Sequence, residues 1–118
     1  MKVSMKQGEI WHINLDPTVG AEIRKTRPAI IVNDNSVGKL PLKIIVPLTD
    51  WKTHYKIAPW IVQILPNAKN NLSKTSAADC FQVRSLSEKR IIGKVGKIDT
   101  ETLEKIKEGL AKVLSIGY

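Results

Sequence analysis

The chain is poor in the residues that build many familiar sites. Among 118 residues it has one cysteine, Cys80, and two histidines, His12 and His54. A lone cysteine excludes an intramolecular disulfide and fits a reducing cytoplasm. The three are too scattered for the paired spacing of a zinc site, so no metal is expected. Walker and dinucleotide-binding glycine patterns are missing, and no other cofactor is implied. No apolar run is long enough to span a bilayer, and "MKVSMKQGEIW" lacks the apolar centre of a signal peptide. The expected location is therefore the cytoplasm, with no membrane partner. Acidic residues are also scarce, 11 against 19 basic ones, for a net charge of +8. In so short a chain that excess favours a polyanionic partner, either nucleic acid or an acidic protein.

What is present suits one domain over residues 1–118 with one hydrophobic core. "GEIWHINL" alternates Trp11, Ile13 and Leu15 with His12 and Asn14, which predicts a half-buried strand. "DPTVG" breaks it. "PAIIVN", Pro28 to Asn33, is continuously apolar and reads as a central strand buried on both faces. "LKIIVPLT", Leu42 to Thr49, is a third strand. Its Pro47 cannot donate to a ladder and is expected at an edge, a bulge or the strand's end. "WIVQIL" from Trp60 predicts a fourth strand, "AADCFQVRSL" a short one, and "RIIGKVGKI" a bent or bulged one. "NAKNNLSKTS" reads as loop. Leu103, Ile106, Leu110, Val113 and Leu114 recur at helical spacing, with Asp99 placed to cap the helix and Gly117 just past it. The expected fold is mainly β with α, a small barrel carrying a C-terminal helix.

The candidates for chemistry cluster early. Arg24, Lys25 and Arg27 crowd the lip of the second strand. Proline biases the residue before it toward extended backbone, so Arg27, next to Pro28, is held better than the other two. Its guanidinium suits a phosphate. A structural pairing with Glu22 or a loop carbonyl is the other reading of the same residue. Thr49 offers a hydroxyl at a strand end. Cys80 lies in an apolar stretch and is expected to pack, not react. Trp51 and Tyr55 are placed to stack on bases or to pack on the rim. Lys52 and Lys56 add salt-sensitive attraction to a backbone.

Three stretches in order resemble one family: "GEIWHINLDPTVGAEIRKTRPAIIVND", "IIVPLT" and "FQVRSLSEKRI", followed by a helix after "GKID". They look like the MazF/PemK toxins, endoribonucleases of type II toxin–antitoxin systems. The resemblance implies an SH3-like barrel with an appended helix, working as a homodimer. By motif position it places the catalytic arginine on Arg27 and the catalytic threonine on Thr49. Glu22 and Gln82 fall at positions that help bind RNA or shape the site, and Arg24 and Lys25 are expected to bind RNA through its backbone, as the salt-sensitive part. Phe81 departs from the polar or acidic residue many members carry there. The implied substrate is single-stranded RNA, cut without a metal by attack of the 2′-OH. The implied inhibitor is a MazE-like antitoxin with an acidic C-terminal segment. Glu22 and His12 are the candidate bases. A non-catalytic nucleic-acid-binding barrel and a gyrase-targeting toxin resembling CcdB are the competing expectations. A member that keeps the fold without the activity is a third, disfavoured by the presence of both Arg27 and Thr49.

Overall fold

The computed structural model describes residues 4–37 and 39–117. Seven strands and one α-helix follow in order: β1 (Glu9–Asn14), β2 (Thr26–Ile31), β3 (Leu42–Asp50), β4 (Ile61–Ile64), β5 (Ser76–Asp79), β6 (Arg84–Ser87), β7 (Ile91–Lys97) and α1 (Thr100–Leu114). All observed pairings are antiparallel, in the order β4-β5-β3-β2-β1-β7, with β6 also paired to β3. The sheet curls into an unclosed, barrel-like form with α1 packed against β4 and the turn after β5.

Over part of their length β1, β2 and β3 send side chains into two clusters on opposite sides of the sheet, since successive side chains of a strand point to opposite sides. Ile10, Ile30, Val46 and Leu48 join one cluster, which α1 completes with Ile106. Trp11, Ile13, Leu15, Ala29, Ile31 and Ile45 form the other. β2 is thus the central strand its composition predicts. β1 is less simply two-faced than its alternation suggests: His12 and Asn14 are exposed, but Ile10 on their side is fully buried.

Two strand expectations need correction. Pro47 lies inside β3, opposite Ala29, and is fully buried. It is tolerated because β3 changes partner there: Leu42 to Ile45 pair with β6, and Leu48 to Asp50 pair with β5. The missing N–H falls in the interval between the two ladders. "AADCFQVRSL" is not one strand but two, β5 and β6, joined by a 3-10 turn at Cys80–Gln82. Asp79 caps that turn by accepting from the Phe81 N–H at 3.1 Å.

β7 is bulged as expected, with two shifts of register against β1. In α1, Asp99 accepts from the Thr102 N–H at 2.7 Å, and Ile106 is fully buried. The helix ends at Leu114, before Gly117. Ser115, not Gly117, takes the left-handed C-cap at φ 57°, and Leu114 is exposed. Gly109 allows the helix to approach the β5–β6 turn, since a Cβ there would stand 2.8 Å from Cys80 Sγ. No described helix is long and apolar enough to cross a membrane.

Candidate functional site

β1, β2 and β3 build the site at the end where β2 begins. Arg27 pairs with Ile13 of β1. The β2–β3 register runs Ile31↔Ile45, Ile30↔Val46, Ala29↔Pro47. Arg27 and Thr49 each lie two residues beyond the last β2–β3 pair, Ala29↔Pro47, on the side of their strands that carries Ala29 and Pro47. Both line one cleft of ≈ 280 Å³ together with His12, Pro28, Asp50, Ser73 and Lys74. Thr49 is the next-to-last residue of β3, which runs on to Asp50.

Arg27 is half-buried, and its guanidinium is nearly unspent. Nε donates to the Arg24 carbonyl at 3.4 Å, and neither Nη atom has an acceptor among the described residues. No carboxylate among the described residues pairs with it: Glu22 instead accepts from the Val19 N–H at 2.5 Å. A loop carbonyl thus takes one long contact, while the fork itself stays open toward solvent. Thr49 likewise makes no side-chain hydrogen bond among the described residues. Arg24 and Lys25 are exposed beside the cleft.

Glu22 and Gln82 are placed elsewhere. They line a second opening of ≈ 510 Å³ with Leu15, Ile23, Pro47, Phe81 and Arg84. The two openings adjoin, because Thr49 and Pro47, two residues apart on β3, line one each. Gln82 holds the loop: its Oε1 accepts from Ile23 N–H at 2.6 Å, and its Nε2 donates to the Ala21 carbonyl at 3.3 Å. Asp79 accepts a further bond from Gln82 at 3.4 Å. Burial, the largest influence, pushes the Asp79 carboxyl above its ordinary range against the opposing bonds from Phe81 and Gln82.

Two arginines that the sequence reading assigned no role complete this clamp. Arg84 donates to the Leu15 carbonyl at 3.0 Å. Arg90 donates to the carbonyls of Asn14 and Asp16. Leu15 N–H in turn donates to the Lys25 carbonyl at 3.0 Å, closing the loop on itself. The segment that delivers Arg27 is therefore tied at both ends and in the middle. Only the "QVR" spacing hinted at this, because carbonyl acceptors leave no mark in a sequence.

The asparagine-rich segment is also more than loop filler. Asn70 is buried; its Oδ1 accepts from the N–H groups of Asn67 and Leu72, both at 3.0 Å, and its Nδ2 donates to the Leu65 carbonyl at 2.9 Å. Asn71 Nδ2 donates to the Val95 carbonyl at 3.0 Å, fixing the segment to β7. A Cβ on Gly96 would stand 2.6 Å from the Asn70 carbonyl oxygen, so β7 must carry glycine there for the segment to seat. This gives the cleft a rigid wall.

Trp51 and Tyr55 contact each other edge to face, ring centres 5.8 Å apart, and His54 meets Tyr55 at 4.6 Å. Cys80 is buried, with Sγ 3.6 Å from the Ile106 carbonyl. Burial first, and the Asp79 charge second, push its thiol up to about 12. It packs, as expected. No group of three or more His, Cys, Asp or Glu side chains placed to hold a metal ion occurs among the described residues.

Fold and cleft together define a small, half-open barrel that presents an uncommitted guanidinium and a hydroxyl in a basic surround. The chain belongs to the PemK-like, MazF-like toxins of type II toxin–antitoxin systems, whose family model matches residues 6–114. It is similar to endoribonuclease MazF9 of Mycobacterium tuberculosis, 28% identical over 112 residues that cover 90% of this chain and 92% of the relative. It is also similar to endoribonuclease PemK of Escherichia coli, 34% identical over 96 residues covering 79% of this chain and 68% of that one. The crystal structure of MazF from Deinococcus radiodurans superposes with a TM-score of 0.80 at 22% identity, covering 97% of this chain and 99% of the other. An endoribonuclease solved in complex with its cognate antitoxin, from a mycobacterial species, superposes with a TM-score of 0.75 at 18% identity, covering 99% of each chain.

Proposed function

We propose that this chain is a sequence-specific endoribonuclease toxin that cuts single-stranded RNA in the cytoplasm without needing a metal. The observation that carries the reading is the Arg27–Thr49 pair: two donors from adjacent strands lining one cleft, with no acceptor among the described residues for either Nη of Arg27. The ribose 2′-OH loses its proton and attacks the adjacent phosphorus, and the bond to the 5′-oxygen breaks. The products are a 2′,3′-cyclic phosphate, or the 3′-phosphate after hydrolysis, and a 5′-hydroxyl. Arg27 meets the charge that builds on the non-bridging oxygens, and Thr49 donates to the same group. Both are preorganised, Arg27 by Pro28 and the loop clamp, Thr49 by the β3–β5 ladder.

His12 is the favoured proton acceptor. It shares the Arg27–Thr49 cleft, whereas Glu22 lines the adjoining opening and already accepts a short bond from Val19. Pro28 and Gly93 flank His12 across its two strand pairings, and nothing lies within 4 Å of where a Gly93 Cβ would be. His12 itself is exposed. Arg24 and Lys25, exposed at the lip, supply salt-sensitive attraction to the backbone. Glu22 and Gln82 shape the adjoining wall. An antitoxin with an acidic segment is a fitting inhibitor for the same basic surface, since the relative solved with its cognate antitoxin shares this fold. Leu42 and Ile44, exposed on one face of β3, favour a homodimer.

The test is incubation of the purified protein with a long RNA in EDTA, followed by sequencing of the new 5′ ends. Discrete cuts bearing 5′-hydroxyls support the proposal. Tight binding with no cuts, in EDTA or magnesium, refutes it in favour of a binding module. Gyrase-dependent DNA breaks with intact messages would refute it in favour of CcdB-like action.

A further inference from the structure

The cleft holds two charged groups for which the cleavage chemistry has no use. Asp50 follows Thr49 at the end of β3, and Lys74 faces it across the opening with Nζ 3.7 Å from Oδ2. Both side chains are well exposed, 60% for Asp50 and 70% for Lys74. An exposed pair at that distance contributes little to stability. Neither group has another side-chain partner among the described residues, so two carboxylate oxygens and an ammonium are left to bond something else.

Their backbones, by contrast, are firmly held. Asp50 pairs with Ser76 in the β3–β5 ladder. Ser76 Oγ donates to the Lys74 carbonyl at 3.1 Å, and Trp51 N–H donates to the Thr75 carbonyl at 3.1 Å. With the Asn67–Asn70 network behind it, the Lys74 segment is a fixed wall facing a fixed strand end. A mere surface ion pair does not require this support on both sides.

The position decides what would be read. Thr49 and Asp50 point to opposite sides of β3 but both border the cleft at the strand's end, so a nucleotide flanking a phosphate held by Arg27 and Thr49 passes over that end and brings its base to Asp50. Single-stranded RNA exposes its Watson–Crick edges. A carboxylate accepts two parallel N–H donors, and an ammonium beside it donates to an oxygen. Guanine alone among the four bases presents two adjacent donors, N1–H and the 2-amino group, next to a carbonyl acceptor. Adenine and cytosine offer a single donor site followed by an acceptor, and uracil sets one donor between two acceptors. We infer that Asp50 and Lys74 form a guanine-reading subsite beside the scissile phosphate, Asp50 accepting from N1–H and the 2-amino group and Lys74 donating to O6.

This inference rests on the ribonuclease reading, and one experiment separates the two. A long RNA is cut in EDTA by wild type, Asp50→Asn and Lys74→Gln, and the new 5′ ends are sequenced. Wild type is expected to require guanine at one position flanking the cut. In Asp50→Asn that preference is expected to fall about tenfold or more, as loss of a bidentate base contact implies. A short RNA with inosine at that position lacks only the 2-amino group. Wild type should cut it about tenfold more slowly than the guanosine RNA, and Asp50→Asn should cut the two alike. Cleavage by wild type with no guanine at either flanking position overturns the inference and leaves the ribonuclease reading standing. So does an unchanged profile in Asp50→Asn, or full-rate cleavage of the inosine RNA by wild type. Should the variants prove inactive, the inosine comparison on wild type decides alone. Absence of any cut by wild type refutes both readings.

Discussion

Replacing Arg27 with alanine should separate stability from activity. Among the described residues the guanidinium makes one long contact, Nε to the Arg24 carbonyl at 3.4 Å, and no ion pair. A hydrogen bond of ordinary length contributes about 1 kcal/mol net, and one this long contributes less. Some packing of the aliphatic stem is lost as well. The total cost to folding should stay within about 1 kcal/mol, or roughly 4 °C in melting temperature for a chain of this size. Removing a donor aimed at developing negative charge costs far more in the transition state, about 2.7–4 kcal/mol, or 10²–10³ in rate. Arg27→Lys keeps the charge and loses the planar fork, so it should fall between alanine and wild type. The assay pairs denaturant unfolding with single-turnover cleavage of a fluorogenic RNA in EDTA. A folded Arg27→Ala protein that cleaves at full speed removes Arg27 from the chemistry. A variant destabilised by several kcal/mol and inactive in proportion would make it structural instead.

The remaining expectations reach other parts of the molecule. His12→Gln should lower kcat and flatten one limb of the pH–rate profile, whereas Glu22→Gln should alter KM more than kcat; the reverse pattern transfers the base to Glu22. Gly109→Ala gains helix propensity but drives a methyl to 2.8 Å from Cys80 Sγ, so net destabilisation of about 1–3 kcal/mol by denaturant unfolding is expected, and an increase in stability would mean the helix shifts freely. Burial raises the Asp79 carboxyl in the folded state, so its contribution to stability is fully present below the ordinary value of 3.8 and is lost as pH rises through the raised folded value. Asp79→Asn should remove that decline, and an unchanged stability-versus-pH curve would contradict it. Cys80, with its thiol pushed up to about 12, should react with iodoacetamide at neutral pH only as fast as the protein opens; rapid labelling of folded protein would show that the β5–β6 turn is not closed by α1.

Much of the fold was legible because it is written in periodicity. The unbroken "AIIV" announces a strand covered on both sides, and Leu103, Ile106 and Leu110 announce the helix face. Pro47 misled because a rule about proline in sheets concerns where an N–H is needed. The interval between the β6 and β5 pairings exists only in three dimensions. "AADCFQVRSL" misled because the turn within it is made by Asp79 capping Phe81, with no glycine or proline to mark it. Glu22 and Gln82 line the opening beside the Arg27 cleft, reached through Pro47 two residues before Thr49, a neighbourhood invisible in order along the chain.

The lip of β2 gathers these threads. Arg24, Lys25 and Arg27 are similar in charge but not in freedom. Lys25 sits at φ 71° with its carbonyl bonded to Leu15, and Arg24 lends its carbonyl to Arg27. The backbone of two cations is thus used to hold the third in place. Gln82, Arg84 and Arg90 supply most of the remaining ties to that loop, all through backbone carbonyls or amides. A loop fixed by its backbone leaves Arg24, Lys25 and Arg27 without an ion pair among the described residues, which lets them meet a phosphate without first giving up a carboxylate. Had the same loop been fixed by salt bridges, each cation would have to lose a partner before binding, and the energy of RNA contact would be reduced by that loss.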